Sequence, residues 1–357
     1  MDALLQKVWA GERVSSEEAR RLHGLPLETL GTLANQRRRL AKAAAYNGRG
    51  NEIVTYSIDR NINYTNVCNV YCKFCAFMRT EKDNDAYVIT HAEIDSKIEE
   101  TLALGGTQIL MQGGHHPGLD KQWYLDLLAH IRDKFPAINI HGFSPSEFVH
   151  FQKVFDEPLE DILRDFRAAG LGSIPGGGGE ILVDRVRKKI SPLKAMSNEW
   201  LEVMAIAHRQ GLATTATMMF GHVETVEERI EHLERVRQQQ DETGGFTAFI
   251  AWTFQAENTR LKVQTVGAHE YLRMQALARI YLDNVENIQS SWVTQGREVG
   301  QVALGFGAND FGSIMIEENV VSQAGTVFCM GVADMQRLIL DLGLEPCQRD
   351  NWYNLVN

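Results

Sequence analysis

From Ile53 onward, short runs rich in β-branched and aromatic residues alternate with amphipathic stretches of about ten to twenty residues. No other feature of the chain narrows its fold as much, because strands separated by helices pair in parallel and need those helices to cover the sheet. The strand runs are Ile53–Ile58, Gln108–Met111, Ile138–His141, Gly172–Ile174, Ala213–Met219, Phe246–Ile250, Asn287–Trp292 and Phe306–Ile316. Helices are expected over Glu93–Leu104, Gln122–Phe135, Leu159–Ala169, Asn198–Gln210, Val226–Glu242 and Glu270–Leu282, each with apolar residues at three- and four-residue spacing. Eight strands each followed by a helix over about 300 residues fit an α/β fold of the (β/α)8 TIM-barrel type better than an open sheet. In such a barrel the loops after the strands carry the chemistry.

The first fifty residues read differently. Ser15, Ser16, Glu17 and Glu18 form a helix-cap signal, and Leu27–Ala45 is rich in Leu, Ala, Arg and Lys. No Gly/Ser- or Pro-rich linker follows, so residues 1–50 are expected to be a helical extension and 51–357 one barrel with a C-terminal helical tail. Hydrophobic residues at 44% and charged residues at 23% exclude a disordered or collagenous chain. A net charge of −10 argues against a broad surface for nucleic acid or anionic lipid. No apolar run reaches the roughly 18 residues of a membrane span, and Met1–Arg13 lacks the order of a signal peptide, so a cytoplasmic location without membrane insertion is expected.

Three of the five cysteines, Cys68, Cys72 and Cys75, are separated by three and then two intervening residues, just beyond the first strand. Soft thiolates favour zinc or an iron–sulfur cluster, and three without a nearby fourth ligand do not close a tetrahedral zinc site. A cubane with one iron left open fits better, since a cluster used only to carry electrons normally has four protein ligands. Core thiols or half of a zinc site remain the plain alternatives. Phe74 and Phe77 are placed to shield such a cluster, or simply to pack. Cys329 and Cys347 are expected to be buried thiols. The Gly176–Gly179 run, directly after a strand, reads as a loop presenting backbone to a ligand.

Cys68-x3-Cys72-x2-Cys75 at the end of a first barrel strand resembles the signature of the radical S-adenosylmethionine (SAM) enzymes. The resemblance implies a [4Fe-4S] cluster held by these cysteines, with SAM on the open iron, an external one-electron reductant, and cleavage to a 5′-deoxyadenosyl radical. It implies that Gly113 and Gly114 bring backbone close to the methionine amino group, although His115-His116-Pro117 follow where the family usually has Glu. By the same resemblance Glu180 receives the ribose hydroxyls, Arg185 contacts the cofactor carboxylate, and Thr217 to Glu224, with Gly221, lies beside the adenine. Ser144, Ser146 and Glu147 are further cofactor candidates, with a Ser-x-x-Glu helix cap as the alternative. Arg185 at a solvated helix start and His222 as a satisfied polar residue are likewise the structural readings of those positions.

Arg60–Asn66, Gly221–Thr225, Gly244–Phe249, Trp252–Gln255, Ser291–Gly296 and Gly307–Gly312 are similar to the branch of that family that acts on the small molecule dehypoxanthine futalosine, on the futalosine route to menaquinone. Met78, in place of an aromatic, is a small departure. The resemblance implies hydrogen abstraction at ribose C4′ and ring closure onto a benzoate. Trp252, Phe254 and Trp292 would wall the ring, Gln255, Thr294 and Asn309 would hydrogen-bond the sugar or carboxylate, and Asp310 or His116 would accept the proton lost on rearomatisation. Branches making aminofutalosine or a deazaflavin share the cluster spacing. A non-catalytic iron–sulfur or zinc-binding protein is the alternative of another class.

Overall fold

The structure, a computed structural model, describes residues 2–326 and 328–356. Its strands are β1 (Ile53–Ser57), β2 (Asp59–Asn63), β3 (Gln108–Gln112), β4 (Asn139–Gly142), β5 (Leu171–Ile174), β6 (Ala213–Phe220), β7 (Phe246–Thr253), β8 (Asn287–Gln289), β9 (Asp310–Ser313) and β10 (Glu345–Gln348). They form one parallel sheet in the order β10-β1-β9-β8-β7-β6-β5-β4-β3-β2. β1 and β2 are halves of one run interrupted at Ile58: β1 pairs with β9, and β2 pairs with β3 from Asp59↔Gln108 onward. The sheet therefore curls into a (β/α) barrel whose seam is this run, where Ile314 N–H donates to Ser57 O and Ile316 N–H to Asp59 O, both at 3.1 Å. Pairing is incomplete, since a single registered pair, Gln289↔Asp310, joins β8 to β9.

All eight strand runs read from the sequence are present, with two boundary corrections. The run from Asn287 ends at Gln289, because Trp292 opens a short helix, Trp292–Gln295, and only Asp310–Ser313 of the last run is strand. The tail expected to be helical is a helix over Val332–Leu340 followed by the strand β10. Pro346 disguises this strand in the sequence, and an edge position tolerates it. β10 lies against β1 below the start of β3, where Glu345 N–H donates to Glu52 O (2.7 Å) and Arg349 N–H to Tyr56 O (2.8 Å). Cys329 is exposed and Cys347, on this edge strand, is half-buried, so neither is the core thiol expected.

Three helices, Ala3–Trp9, Ser16–His23 and Leu27–Lys42, precede the barrel. Ser15 and Glu18 form a reciprocal capping box on the second. Arg273 ties them down by donating to Leu25 O at 2.7 Å. Around the sheet, Tyr64, Tyr124, Phe143, Phe148, Phe151 and Phe166 pack edge-to-face between the sheet and the helices after β3 and β4. No helix among the described residues is long and apolar enough to cross a membrane.

Candidate active site

Successive residues of a strand face opposite sides, so alternate residues line the barrel interior. Here that lining is polar: Ser57, Asp59 and Asn61 from β1–β2, Gln108 and Gln112 from β3, His141 from β4, Thr215 and Thr217 from β6, and Gln289 from β8 surround a cavity of about 310 Å³. Trp252 and Trp292 form apolar walls, and Arg349, Asn351 and Tyr353 rise from the segment after β10. Asn61 Oδ1, Gln108 Oε1, Glu180 Oε2, Asn351 Nδ2 and Tyr353 OH are buried on this wall without a protein hydrogen-bond partner. Buried polar groups are normally satisfied, so the chamber is built for a ligand with several hydroxyl or carboxyl groups.

One end of the cavity is the glycine run after β5. A Cβ on Gly176 would stand 2.7 Å from Thr215 O, and one on Gly179 2.6 Å from Thr217 O, so only glycine lets this loop lie flush on β6. Thr217 Oγ1 donates to Gly176 O (2.6 Å). The run ends at Glu180, a non-glycine residue held at φ 31°. Its carboxylate accepts from Lys194 Nζ (2.9 Å) and stands 3.6 Å from the fully buried Arg187, which also donates to Gly179 O (2.8 Å) and Gly178 O (3.0 Å). Backbone strain fixed in this way is characteristic of functional positions.

Behind Glu180 lies the cysteine loop. Its backbone is pinned by Cys68 N–H to Arg79 O (2.9 Å), Asn69 N–H to His115 O (3.2 Å) and Lys73 N–H to Ile190 O (2.8 Å). Gly114 permits this contact, since a Cβ there would lie 2.1 Å from Val67 O and 3.0 Å from the Cys68 side chain. Gly113 N–H donates to Glu147 Oε1 (3.1 Å), and Tyr64 OH to the same oxygen (2.7 Å). Burial pushes the Cys72 thiol up to about 12, with Glu180 and the other two thiols adding to the rise against Lys194. Cys68 is raised too, chiefly by burial. Such thiols become thiolates by binding a cation. The three thiols influence one another but do not stand at ligand spacing; among the described residues no three His, Cys, Asp or Glu side chains do. Three soft donors on one pinned loop, with Lys194 and Arg187 nearby as counter-charges, suit an iron–sulfur cluster in chemical kind.

Residues 62–236 match the model of the radical SAM superfamily, and residues 243–357 that of the CofH/MqnC C-terminal region. The chain is 44% identical to the cyclic dehypoxanthine futalosine synthase of Halalkalibacterium halodurans, over 100% of this chain and 95% of that protein. The chain belongs to the CofH/MqnC family of radical SAM enzymes. This radical SAM enzyme is also 46% identical to the cyclic dehypoxanthine futalosine synthase of Streptomyces coelicolor, over 99% of this chain and 88% of that one. It is 41% identical to the 5-amino-6-(D-ribitylamino)uracil–L-tyrosine 4-hydroxyphenyl transferase of Archaeoglobus fulgidus, over 86% and 90% of the two chains. The crystal structure of methylornithine synthase shares the fold, with a TM-score of 0.72 and 17% identity over 96% of this chain and 97% of that one.

Of the site residues expected from sequence, Glu180, Thr217, Trp252, Trp292 and Thr294 line the cavity, Gly114 abuts the cysteine loop, and Gly113 lies against the Tyr64 ring. Phe74 is half-buried in that loop with Lys194 Nζ 5.4 Å from its ring. Others are placed elsewhere. Asp310 is wholly buried below the cavity, its oxygens taken by Arg349, Thr55 Oγ1 (2.6 Å) and Gly312 N–H (2.9 Å), so it is a structural anchor rather than a free base. His116 lies outside the cavity, its Nδ1 accepting from Gly118 N–H (3.0 Å). Arg185 points outward to Glu228, leaving Arg187 as the inward cation of that helix. Ser144 caps the helix Pro145–Phe155 in a capping box with Glu147.

Glu224 is buried against Arg229 (2.8 Å) and His222 (2.9 Å) and accepts from Gly221 N–H (2.7 Å), fixing the loop after β6 without facing the cavity. Although burial opposes it, these partners hold Glu224 below the usual carboxylate range. Phe254 is core, Gln255 bonds back to Thr253, and Asn309 joins Asn287 to Arg279, so none of the three reaches the ligand space. The sequence reading missed Asp59, Asn61, Gln108, Gln112, His141, Arg187, Lys194 and Arg349. Alternation in Asp59-Arg60-Asn61-Ile62-Asn63 and Gln108-Ile109-Leu110-Met111-Gln112 was the available signal for four of them.

His141, bonded to Ser173 Oγ at 2.8 Å, is driven down to about 3 by burial and then by Arg349. Its folded-state pKa lies below the unfolded value, so its contribution to stability is complete above about 6.5 and is lost as pH falls toward 3. At pH 5 the loss is about 2 kcal/mol, and His141→Gln is expected to flatten this part of the profile of urea-unfolding free energy against pH. An unchanged slope would show that His141 is not held neutral.

Proposed function

We propose that this radical SAM enzyme closes dehypoxanthine futalosine to its cyclic form on the futalosine route to menaquinone. The observation that carries the reading is that one chamber is lined by Glu180 and Gly176–Gly178 together with Trp252, Trp292 and Arg349. A cofactor and a small ribosyl substrate would thus share a single recessed space, which keeps the target C–H near a reactive primary radical. Full-length similarity to two proteins named for this cyclisation supports the same assignment.

In this reading Cys68, Cys72 and Cys75 hold a [4Fe-4S] cluster, and Glu180 receives the ribose hydroxyls of SAM through its unpartnered Oε2. When bound, cluster and SAM supply a 5′-deoxyadenosyl radical. Thr217 and the glycine run support the adenosyl group. Trp252 and Trp292 clamp the aromatic ring, with Trp292 oriented by donating from Nε1 to Ser313 O (2.9 Å). Asn61, Gln108, Asn351 and Tyr353 offer their unpartnered atoms to the sugar and carboxylate. Asp59 faces the cavity and accepts from Gln108 Nε2 (2.7 Å) and Ser313 Oγ; it takes the role of proton acceptor that Asp310 cannot fill.

Anaerobic incubation of the reconstituted enzyme with reductant, SAM and dehypoxanthine futalosine tests this. The expected result is 5′-deoxyadenosine together with a product lighter than the substrate by two hydrogens. Inert futalosine, with 5-amino-6-(D-ribitylamino)uracil and tyrosine consumed instead, would overturn it.

A further inference from the structure

We propose that Arg349, Asn351 and Tyr353, in the segment after β10, form the subsite for the aromatic carboxylate of the substrate and so set which end of that molecule points to the cysteine loop. This rests on the cyclisation reading, in which the substrate carries a benzoate. All three residues line the cavity and are only 5–8% exposed. Among the described residues Asn351 Nδ2 and Tyr353 OH have no hydrogen-bond partner. Arg349 donates from Nε and Nη2 to Asp310 and from Nη1 to Asp350 O (3.0 Å), which engages three of the five N–H groups of a guanidinium. Its guanidinium lies 4.1 Å from the centre of the Tyr353 ring, so the remaining N–H groups belong to the same short segment as the two unused donors.

Donors gathered in this way call for a group that only accepts, and an ionised carboxylate is such a group, whereas a sugar hydroxyl both donates and accepts. The unused acceptors sit on other strands: Gln108 Nε2 is committed to Asp59 (2.7 Å), which leaves Gln108 Oε1 free, and Asn61 Oδ1 is free on β2. The wall thus sorts the polar ends of a ligand, donors after β10 and acceptors on β2 and β3. The carboxylates that line the cavity do not consume the donors of the subsite. Asp59 accepts from Gln108 and Ser313, Glu180 from Lys194, and Glu318 from the N–H groups of Val320 (2.9 Å), Val321 (2.8 Å) and Ser322 (2.7 Å). Place follows from register. Arg349 N–H donates to Tyr56 O, before the break at Ile58, whereas the cysteine loop leaves the same β1–β2 run beyond Asn63, so a carboxylate held after β10 directs the rest of the molecule along the strands toward the cysteines. Trp292, bonded through Ser313 to Asp59, then stands beside the ring that bears this carboxylate.

The test is anaerobic calorimetric titration of the reconstituted enzyme, Tyr353→Phe and Asn351→Asp with dehypoxanthine futalosine and its carboxamide, and with benzoate and benzamide as the smallest such pair. Wild type is expected to prefer the carboxylate in both pairs. Tyr353→Phe removes a hydroxyl that bonds to no described residue, so it should fold as wild type by circular dichroism and bind both carboxylates about 10- to 100-fold more weakly. In Asn351→Asp the preference should reverse toward the carboxamides, because the new carboxylate repels an anion and accepts from an amide N–H. A residue that only shaped the segment would weaken all four ligands alike. Equal affinity of wild type for benzoate and benzamide, no benzoate binding, or an unchanged preference in Asn351→Asp would overturn the subsite, even with cyclisation intact. Failure of wild type to bind or cyclise dehypoxanthine futalosine, with the benzoate preference present and reversed in Asn351→Asp, would count against the proposed substrate and leave the carboxylate subsite standing.

Discussion

Cys72→Ser is expected to lower iron binding of the reconstituted chain by at least about 100-fold, since groups that only support metal ligands already contribute 10- to 100-fold. SAM cleavage should fall below detection with it. The fold should persist, because Cys72 lies in a loop whose shape is set by backbone bonds from Cys68, Asn69 and Lys73 rather than by the thiols. Cys329→Ser is the control: that thiol is exposed and remote in sequence from the loop, and its loss should leave iron content unchanged. Iron and sulfide analysis with far-UV circular dichroism reads both expectations. Full cluster content in Cys72→Ser would refute the ligand assignment.

The second large effect is on stability. Asp310→Ala would leave the Arg349 guanidinium buried without its counter-charge, and breaking a buried pair from one side costs about 3–5 kcal/mol. Arg349, chiefly through Asp310, stays charged despite its burial, and it stacks 4.1 Å from the Tyr353 ring. Losing Asp310 should therefore loosen the C-terminal segment that closes the barrel below the cavity. Urea unfolding should show a lower midpoint, and the double variant Asp310→Ala/Arg349→Met should recover part of the loss. A midpoint unchanged in Asp310→Ala would mean that the pair does not anchor that segment.

The strand–helix alternation made the barrel legible, because a period of two followed by a period near 3.6 is a local property that each segment carries alone. The Cys68, Cys72 and Cys75 spacing and the Gly176–Gly179 run were legible for the same reason. Asp310, Asn309, Phe254 and Gln255 were misplaced because a strand-end position does not disclose whether a side chain meets ligand or a neighbouring side chain. Arg185 and Arg187 show this at its smallest scale: two arginines two residues apart on one short helix, of which the sequence favoured the one that faces solvent.

Sequence by itself determined the alternation of eight strand runs with helices, the three-thiol loop and the glycine run after β5, since each is written within a few consecutive residues. Only the tertiary structure decided that Asp59, Gln108, His141 and Arg349 face one chamber while Asp310 is bound in an ion pair. Those relations join residues tens to hundreds of positions apart, and the barrel's curvature and the register of β10 on β1, rather than any local pattern, set which of them meet.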